Sequence, residues 1–317
     1  MKTRWGIAGT GRIAGDFARD LTQVPSAELV AVSSRTLEGA RTFASRWGAS
    51  RSHGSIHDIA ADDSLDVVYV AGIHPVHRDH AIILMESGKH VLVEKPLAMN
   101  SLEVTEMIEV SRRTGRFLME AMWMRFNPLH VELKRRLDQG EFGRILSIEA
   151  DFSFAGPDDP SHRLFDPTKG GGSLLDVGVY PITLAWWYLG EPTSWHADVE
   201  FGSTGVDVAA RLGLEWGNGT RAELHCGTRH EGSRSAIIEC EQAIIRIPAP
   251  AHSSPIAEIK TSQGVEAVRC APPGLHHQVD EVHRCIAAGL IESPRMPHSA
   301  SLSVAKFIDE VLAASRI

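Results

Sequence analysis

The chain has 317 residues, more than one hydrophobic core usually serves, so two domains are expected. A formal net charge of −8 gives no broad basic face for nucleic acid, and 43% hydrophobic with 23% charged residues is the composition of a soluble globular protein. No apolar run is long enough to span a bilayer, and Met1 leads directly into a strand with no secretory signal pattern, so no membrane partner is expected. The four cysteines, Cys226, Cys240, Cys270 and Cys285, show no CxxC spacing, and the sixteen histidines contain no HExxH pair. Reduced thiols in a cytoplasmic chain without a metal centre are the expectation.

Short apolar runs alternate with helical patterns over the first 121 residues. Strands are expected at Arg4 to Ala8, Ala27 to Ser33, Asp66 to Ala71, His90 to Val93 and Phe117 to Glu120, with helices such as Arg12 to Leu21 and Leu37 to Trp47 between them. This alternation predicts a doubly wound parallel sheet. Ser101 is expected to cap a further helix that Gly115 ends. From residue 122 to 317 the pattern changes. A helix from Pro128 to Leu137 precedes alternating strands from Ile145, over Val206 to Trp216, Thr220 to Cys226, Ala236 to Glu239 and Ala243 to Ile247. Asn218-Gly219 marks a hairpin, so a largely antiparallel sheet is expected. One long apolar helix, Ser173 to Leu189, follows Gly170-Gly171-Gly172, and two helices, roughly His276 to Gly289 and Ser299 to Ser315, close the chain.

Gly9-Thr10-Gly11-Arg12-Ile13-Ala14 follows the first strand and opens the first helix, the context in which a GxGxxA string reads as a dinucleotide loop. Gly9 would make the tight turn, Gly11 would let the pyrophosphate approach the backbone, and the helix N-terminus would supply N–H groups. The second strand ends Ser33-Ser34-Arg35, without the acid that binds a free ribose 2′-hydroxyl. Ser34 and Arg35 favour a 2′-phosphate, hence NADP, with NAD also possible. A lysine, Lys95, stands beside Pro96 at the end of the strand Val91-Leu-Val-Glu94, where ligands of parallel sheets bind.

These motifs, with Gly88 to Leu97 and Gly170 to Tyr180, resemble the glucose–fructose oxidoreductase/inositol dehydrogenase (Gfo/Idh/MocA) family over nearly the whole chain. The resemblance implies a Rossmann domain followed by an α+β domain with a large open sheet. It maps the family lysine onto Lys95 and its helix aspartate onto Asp176. Tyr180 stands where many members carry histidine, and Glu120-Ala-Met-Trp-Met-Arg-Phe-Asn-Pro128 is similar to the branch holding glucose–fructose oxidoreductase and the trans-dihydrodiol dehydrogenases. Ile73 replaces a common proline before His74, a residue the resemblance places at the cofactor together with Glu94, Lys95 and Pro96.

Asp176 and Tyr180, four apart on the expected helix, share one face. Free tyrosine titrates near pKa ~10, and a neighbouring ammonium lowers that value. Lys95 and Tyr180 are therefore the candidate proton-handling pair, and Asp176 would orient the lysine or a substrate hydroxyl. Arg163 would hold substrate or the nicotinamide side of the cofactor, or else form a loop salt bridge; His162 precedes it in the same loop. Trp123 and Arg125 would line the cleft, Trp186 and Trp187 would be core or interface, His77 a neighbour of the phosphate loop and His80 a surface residue. The expected activity is NADP-dependent hydride transfer to or from a secondary alcohol or carbonyl of a sugar, cyclic polyol or cyclic trans-diol. A non-enzymatic NAD(P)-binding sensor of the same fold is the alternative. The apolar alternation of Val206 to Trp216 and Thr220 to Cys226 predicts an apolar sheet face and a homodimer or dimer of dimers packed through it.

Overall fold

The computed structural model describes residues 2–157 and 159–316. It divides into two compact units, Met1–Trp123 with Gly274–Ala305, and Met124–Pro273 with Lys306–Ile317.

The first unit is built on β1 (Thr3–Ala8), α1 (Arg12–Leu21), β2 (Ala27–Ser33), α2 (Leu37–Trp47), β3 (Arg51–His53), α3 (Ile56–Ala60), β4 (Val67–Val70), α4 (His77–Glu86), β5 (His90–Val93), α5 (Ser101–Thr114) and β6 (Leu118–Glu120). The strands form one parallel sheet in the order β3-β2-β1-β4-β5-β6. Both faces are covered, so the strands read as apolar runs instead of alternating. Val68, Val70, Val91 and Val93 pack in one layer with Leu84, Met85, Met107 and Ile108 of α4 and α5. Trp5, Phe17 and Tyr69 pack ring against ring. α5 is capped by Asn100, whose side chain accepts from the Glu103 N–H, so the cap lies one residue before the expected Ser101.

The second unit carries α6 (Pro128–Asp138), β7 (Ile145–Ser153), a π-helical turn (Leu174–Gly178), α7 (Val179–Leu189) and β8 (Ser194–Phe201), β9 (Asp207–Glu215), β10 (Arg221–Gly227), β11 (Ala236–Cys240), β12 (Ala243–Ile247), β13 (Ile256–Thr261) and β14 (Gly264–Arg269). Its eight-stranded sheet runs β14-β13-β12-β11-β7-β10-β9-β8. All pairs are antiparallel except β7 with β10. The inner face carries Ile148, Ala150, Leu212, Leu214, Leu224 and Cys226, all buried.

Here the structure corrects two expectations. The apolar half of the β9 and β10 alternation points inward, and the outer face presents the exposed Glu149, Arg211, Glu215, Arg221, Glu223 and His225. Among the described residues that face is mainly polar and of mixed charge, with Ile237 and Ile244 half-buried between the charges, and the β9 and β10 part of it is not the apolar patch expected. The second correction concerns the C-terminal helices. α8 (His276–Ala287) and the first part of α9 (His298–Ala314) belong to the first unit, although they follow residue 122. Trp5 Nε1 donates to His283 Nε2 at 2.9 Å, the Leu275 N–H donates to Asp20 at 2.8 Å, and His298 Nε2 donates to the Leu118 carbonyl at 2.9 Å. Each bond satisfies a polar group whose burial would otherwise be costly. Among the described residues no helix is long and apolar enough to cross a membrane.

Candidate active site

In the first unit the parallel strands end at one edge, where the loops after β1, β2, β4 and β5 gather. Gly9 has φ +124°, and a Cβ there would lie 2.6 Å from the Ala71 carbonyl oxygen. Glycine is therefore needed for both conformation and packing. At Gly11 a Cβ would meet nothing within 4 Å. Gly11 caps α1 with no side-chain hydrogen bond, the first turn holds no acid, and the Arg12 side chain is 97% exposed. No N-cap side chain therefore satisfies the N–H groups at the start of this turn. Thr10 and Ser34 bring their hydroxyls within 3.2 Å of each other. Arg35 is exposed and makes no ion pair among the described residues. An anion-accepting helix start, two adjacent hydroxyls and an unengaged guanidinium fit the pyrophosphate and ribose end of a dinucleotide.

Lys95 follows β5 in a loop anchored from below by two buried carboxylates. Glu94 accepts from the Lys95 N–H at 3.2 Å, and Glu120, at the end of β6, accepts from the Leu97 N–H at 3.1 Å. The loop is anchored from the side by His77, whose Nδ1 lies 2.9 Å from the Pro96 carbonyl and Nε2 3.2 Å from the Gly72 carbonyl. Burial pushes the His77 pKa down to about 4, so the neutral ring donates to one of the two carbonyls. His77 and Glu94, expected among the cofactor contacts, are both buried and anchor this loop through hydrogen bonds to protein groups. Pro96 is buried in the same loop. His74 is 8% exposed and sets its ring beside that of His77, with centroids 5.8 Å apart. His80 is half-buried, not on the surface, and its Nδ1 has no hydrogen-bond partner. Trp123, half-buried, is the last residue of this stretch of the unit.

In the second unit the glycine run serves packing. Gly172 has φ +133°, and a Cβ there would lie 2.5 Å from the Asp207 carboxylate; at Gly171 it would lie 2.7 Å from the Leu164 carbonyl. Asp207 is 4% exposed and accepts from Ser173 Oγ at 2.8 Å and the Leu174 N–H at 2.6 Å, which holds the start of the following helix. That helix opens as a π-turn, a form frequent at functional sites. Asp176 sits in this wider turn and Tyr180 in α7, so the regular α-helical spacing expected for them does not hold.

Asp176 is 5% exposed and pairs with Arg163 Nη1 at 3.0 Å. Arg163 thus forms the loop salt bridge, while half of its side chain stays exposed. His162 accepts a long bond, 3.4 Å, from the Leu164 N–H and shapes the same loop. Tyr180 is 7% exposed and lies among rings that sequence reasoning missed: Phe152 at 5.2 Å and His252 at 4.8 Å, themselves stacked at 4.4 Å. Phe152 was legible as part of a strand, but His252 sits in a short turn with no motif around it. Arg125, expected to line the cleft, is buried in the second unit. It is 8% exposed, with its guanidinium 5.1 Å over the Trp187 ring, a cation–π contact inside the second unit.

Residues 3–122 match the model of the oxidoreductase family with an NAD-binding Rossmann fold, and residues 130–246 match that of the GFO/IDH/MocA C-terminal domain. The trans-1,2-dihydrobenzene-1,2-diol dehydrogenase of Danio rerio is 37% identical over 98% of this chain and 96% of its own length, and that of Xenopus laevis 36% over 98% of each. Among solved structures, KijD10, a 3-ketoreductase from Actinomadura kijaniata in complex with NADP and TDP-benzene, aligns with a TM-score of 0.88 at 26% identity, covering 99% of this chain and 98% of that one. The chain therefore belongs to the GFO/IDH/MocA family and is an NAD(P)-dependent oxidoreductase acting on CH–OH groups.

Proposed function

We propose that this protein is an NADP-dependent dehydrogenase or reductase of ring-shaped substrates, with cyclic trans-diols first and sugars second. The observation that carries the reading is the open helix start at Gly11, with Ser34 and Arg35 beside one edge of the same sheet and Lys95 at the end of β5. Gly9, Thr10, Gly11, Arg12 and Ile13 would hold the pyrophosphate, and Ser34 and Arg35 the 2′-phosphate. His74, Lys95, Pro96, Trp123 and Arg163 would border the nicotinamide portion. The bound nicotinamide accepts or delivers the hydride.

The chain's own residues manage the proton. Lys95 of the first unit and Tyr180 of the second are the proposed proton-handling residues, a task that neither a free tyrosine nor a solvated lysine does well at neutral pH. Asp176, fixed by Arg163, accepts from a substrate hydroxyl, and Arg163 and His162 border the substrate. Phe152 and His252 beside Tyr180 favour a flat or cyclic ligand, in keeping with relatives named for a dihydrobenzene diol.

The polar outer face of the eight-stranded sheet, uncovered by its own chain and carrying both charge signs, is the surface through which we expect a homodimer or dimer of dimers. The four cysteines are free thiols, which suits a cytoplasmic setting.

The test is purified protein with NADP⁺ or NAD⁺ against a panel of trans-dihydrodiols, aldoses and inositols, and the reduced cofactors against the matching ketones, read by nicotinamide absorbance. Turnover of a cyclic trans-diol or sugar with NADP preferred supports the reading. Turnover of none overturns the substrate class, and equal use of NAD overturns the cofactor choice.

A further inference from the structure

Tyr69 stands in the middle of β4, fully buried, with its ring stacked on Phe17 of α1 at 3.9 Å and 18°. A phenol hydroxyl in the apolar layer of a parallel sheet costs free energy unless it is hydrogen-bonded. Here the hydroxyl donates to the carboxylate of Glu94, at the end of the neighbouring strand β5. The same carboxylate accepts from the Lys95 N–H. A phenol and an acid thus stack beneath the lysine, spending buried polar groups where the fold alone would take leucine and valine.

Three groups act on this acid from the elements around it: Tyr69 from β4, Lys95 from its own loop and Glu120 from β6, while His77 of α4 is bound to the Pro96 and Gly72 carbonyls. Burial raises the Glu94 pKa, the Lys95 charge and the Tyr69 hydroxyl lower it, Glu120 raises it, and the carboxyl titrates at about 6. His77, neutral, feels the Lys95 charge but adds none.

We propose that Tyr69 and Glu94 are positioning residues for Lys95: the hydrogen-bonded phenol–carboxylate pair pins the lysine backbone and keeps a negative charge under it, and so sets how readily the amine gives up its proton. This rests on the reading of Lys95 as a proton-handling group. Tyr69→Phe keeps the ring on Phe17 and removes the donor. The Glu94 carboxyl then takes its proton at higher pH, and the acid limb of kcat moves up by about one unit. Glu94→Gln keeps an acceptor for the Lys95 N–H but removes the charge at every pH, so that limb disappears and the amine deprotonates about one unit lower.

The experiment is trace acylation of Lys95 as a function of pH, read by mass spectrometry on the full chain with NADP bound, in wild type, Tyr69→Phe and Glu94→Gln, beside the pH profile of turnover. A fall of about one unit in the labelling midpoint of Glu94→Gln, with the acid limb of turnover raised in Tyr69→Phe and its labelling midpoint not lowered because Glu94 is still ionised there, supports the pairing. An unmoved midpoint in Glu94→Gln, or turnover lowered evenly at all pH with no shift of the acid limb in Tyr69→Phe, overturns it. If Glu94→Gln does not fold, the acid limb of Tyr69→Phe decides alone. The labelling needs no substrate, so a shifted midpoint in a protein that turns over no diol or sugar would sink the proposed function and leave the pairing standing.

Discussion

Two glycine runs stand at the starts of two helices and do opposite things. At Gly11 an added Cβ would meet nothing within 4 Å, whereas at Gly171 and Gly172 it would strike the Leu164 carbonyl and the Asp207 carboxylate. The first run leaves open space beside the helix start. The second has its space filled already, by a buried acid that takes the N–H and hydroxyl groups at the helix start. A glycine-rich turn before a helix is thus no sign of a ligand by itself; what occupies the space above it decides. The same division runs through the charged residues. In the first unit the buried acids serve the loop that carries Lys95, and in the second Asp176 is paired with a half-exposed arginine.

The largest effect should come from the first unit. Lys95→Met should leave NADP binding nearly intact and lower turnover by roughly 10²–10⁴-fold or more, because the proton transfer it supports contributes that much. Near-normal turnover on the true substrate would move the chemistry to the second unit. Tyr180→Phe asks the converse question. It preserves the packing against Phe152 and His252 and removes only the hydroxyl. We expect a loss of about 10²-fold at an unchanged melting temperature. Unchanged kinetics would make Tyr180 a core aromatic.

A paired substitution separates the glycine runs themselves. Gly172→Ala forces a side chain into φ +133° and against Asp207, and should destabilise the protein by about 1–3 kcal/mol in thermal or urea unfolding. Gly11→Ala should leave stability nearly unchanged and weaken NADP binding by titration calorimetry. If both variants lose stability and keep affinity, the first run is a packing device like the second. The smallest effect belongs to Arg35→Ala. Charge-assisted hydrogen bonds contribute about 1.5–3 kcal/mol, equivalent to roughly ten- to hundredfold, and the exposure of Arg35 pulls its effect to the low end. The ratio of NADP to NAD dissociation constants should fall about tenfold. A ratio that does not move leaves Arg35 a solvated surface residue.

Local signals in the chain carried the parallel sheet, the strand–glycine–helix start and the position of Lys95, because these depend on residues adjacent in sequence. Buried parallel strands read as unbroken apolar runs, and Val91 to Val93 ending in Glu94-Lys95-Pro96 is one of them. β8 and β14 were not legible: β8 mixes Trp195, Ala197 and Val199 with charged residues at an edge, and β14 exposes Val265. The return of α8 to the first unit was equally hidden, since it rests on contacts such as Trp5 with His283, whose partners lie far apart along the chain.

The sequence by itself determined which residue types could hold a dinucleotide and move a proton, since backbone freedom, charge and acidity belong to the residues. Only the tertiary structure decided what each was free to do. Burial made His77 and Glu94 anchors of the lysine loop, placed Arg125 over Trp187 and closed the second glycine run with Asp207. A polar side chain that leaves water must take whatever partner the fold brings within about 3 Å, and that partner is set by packing between distant segments.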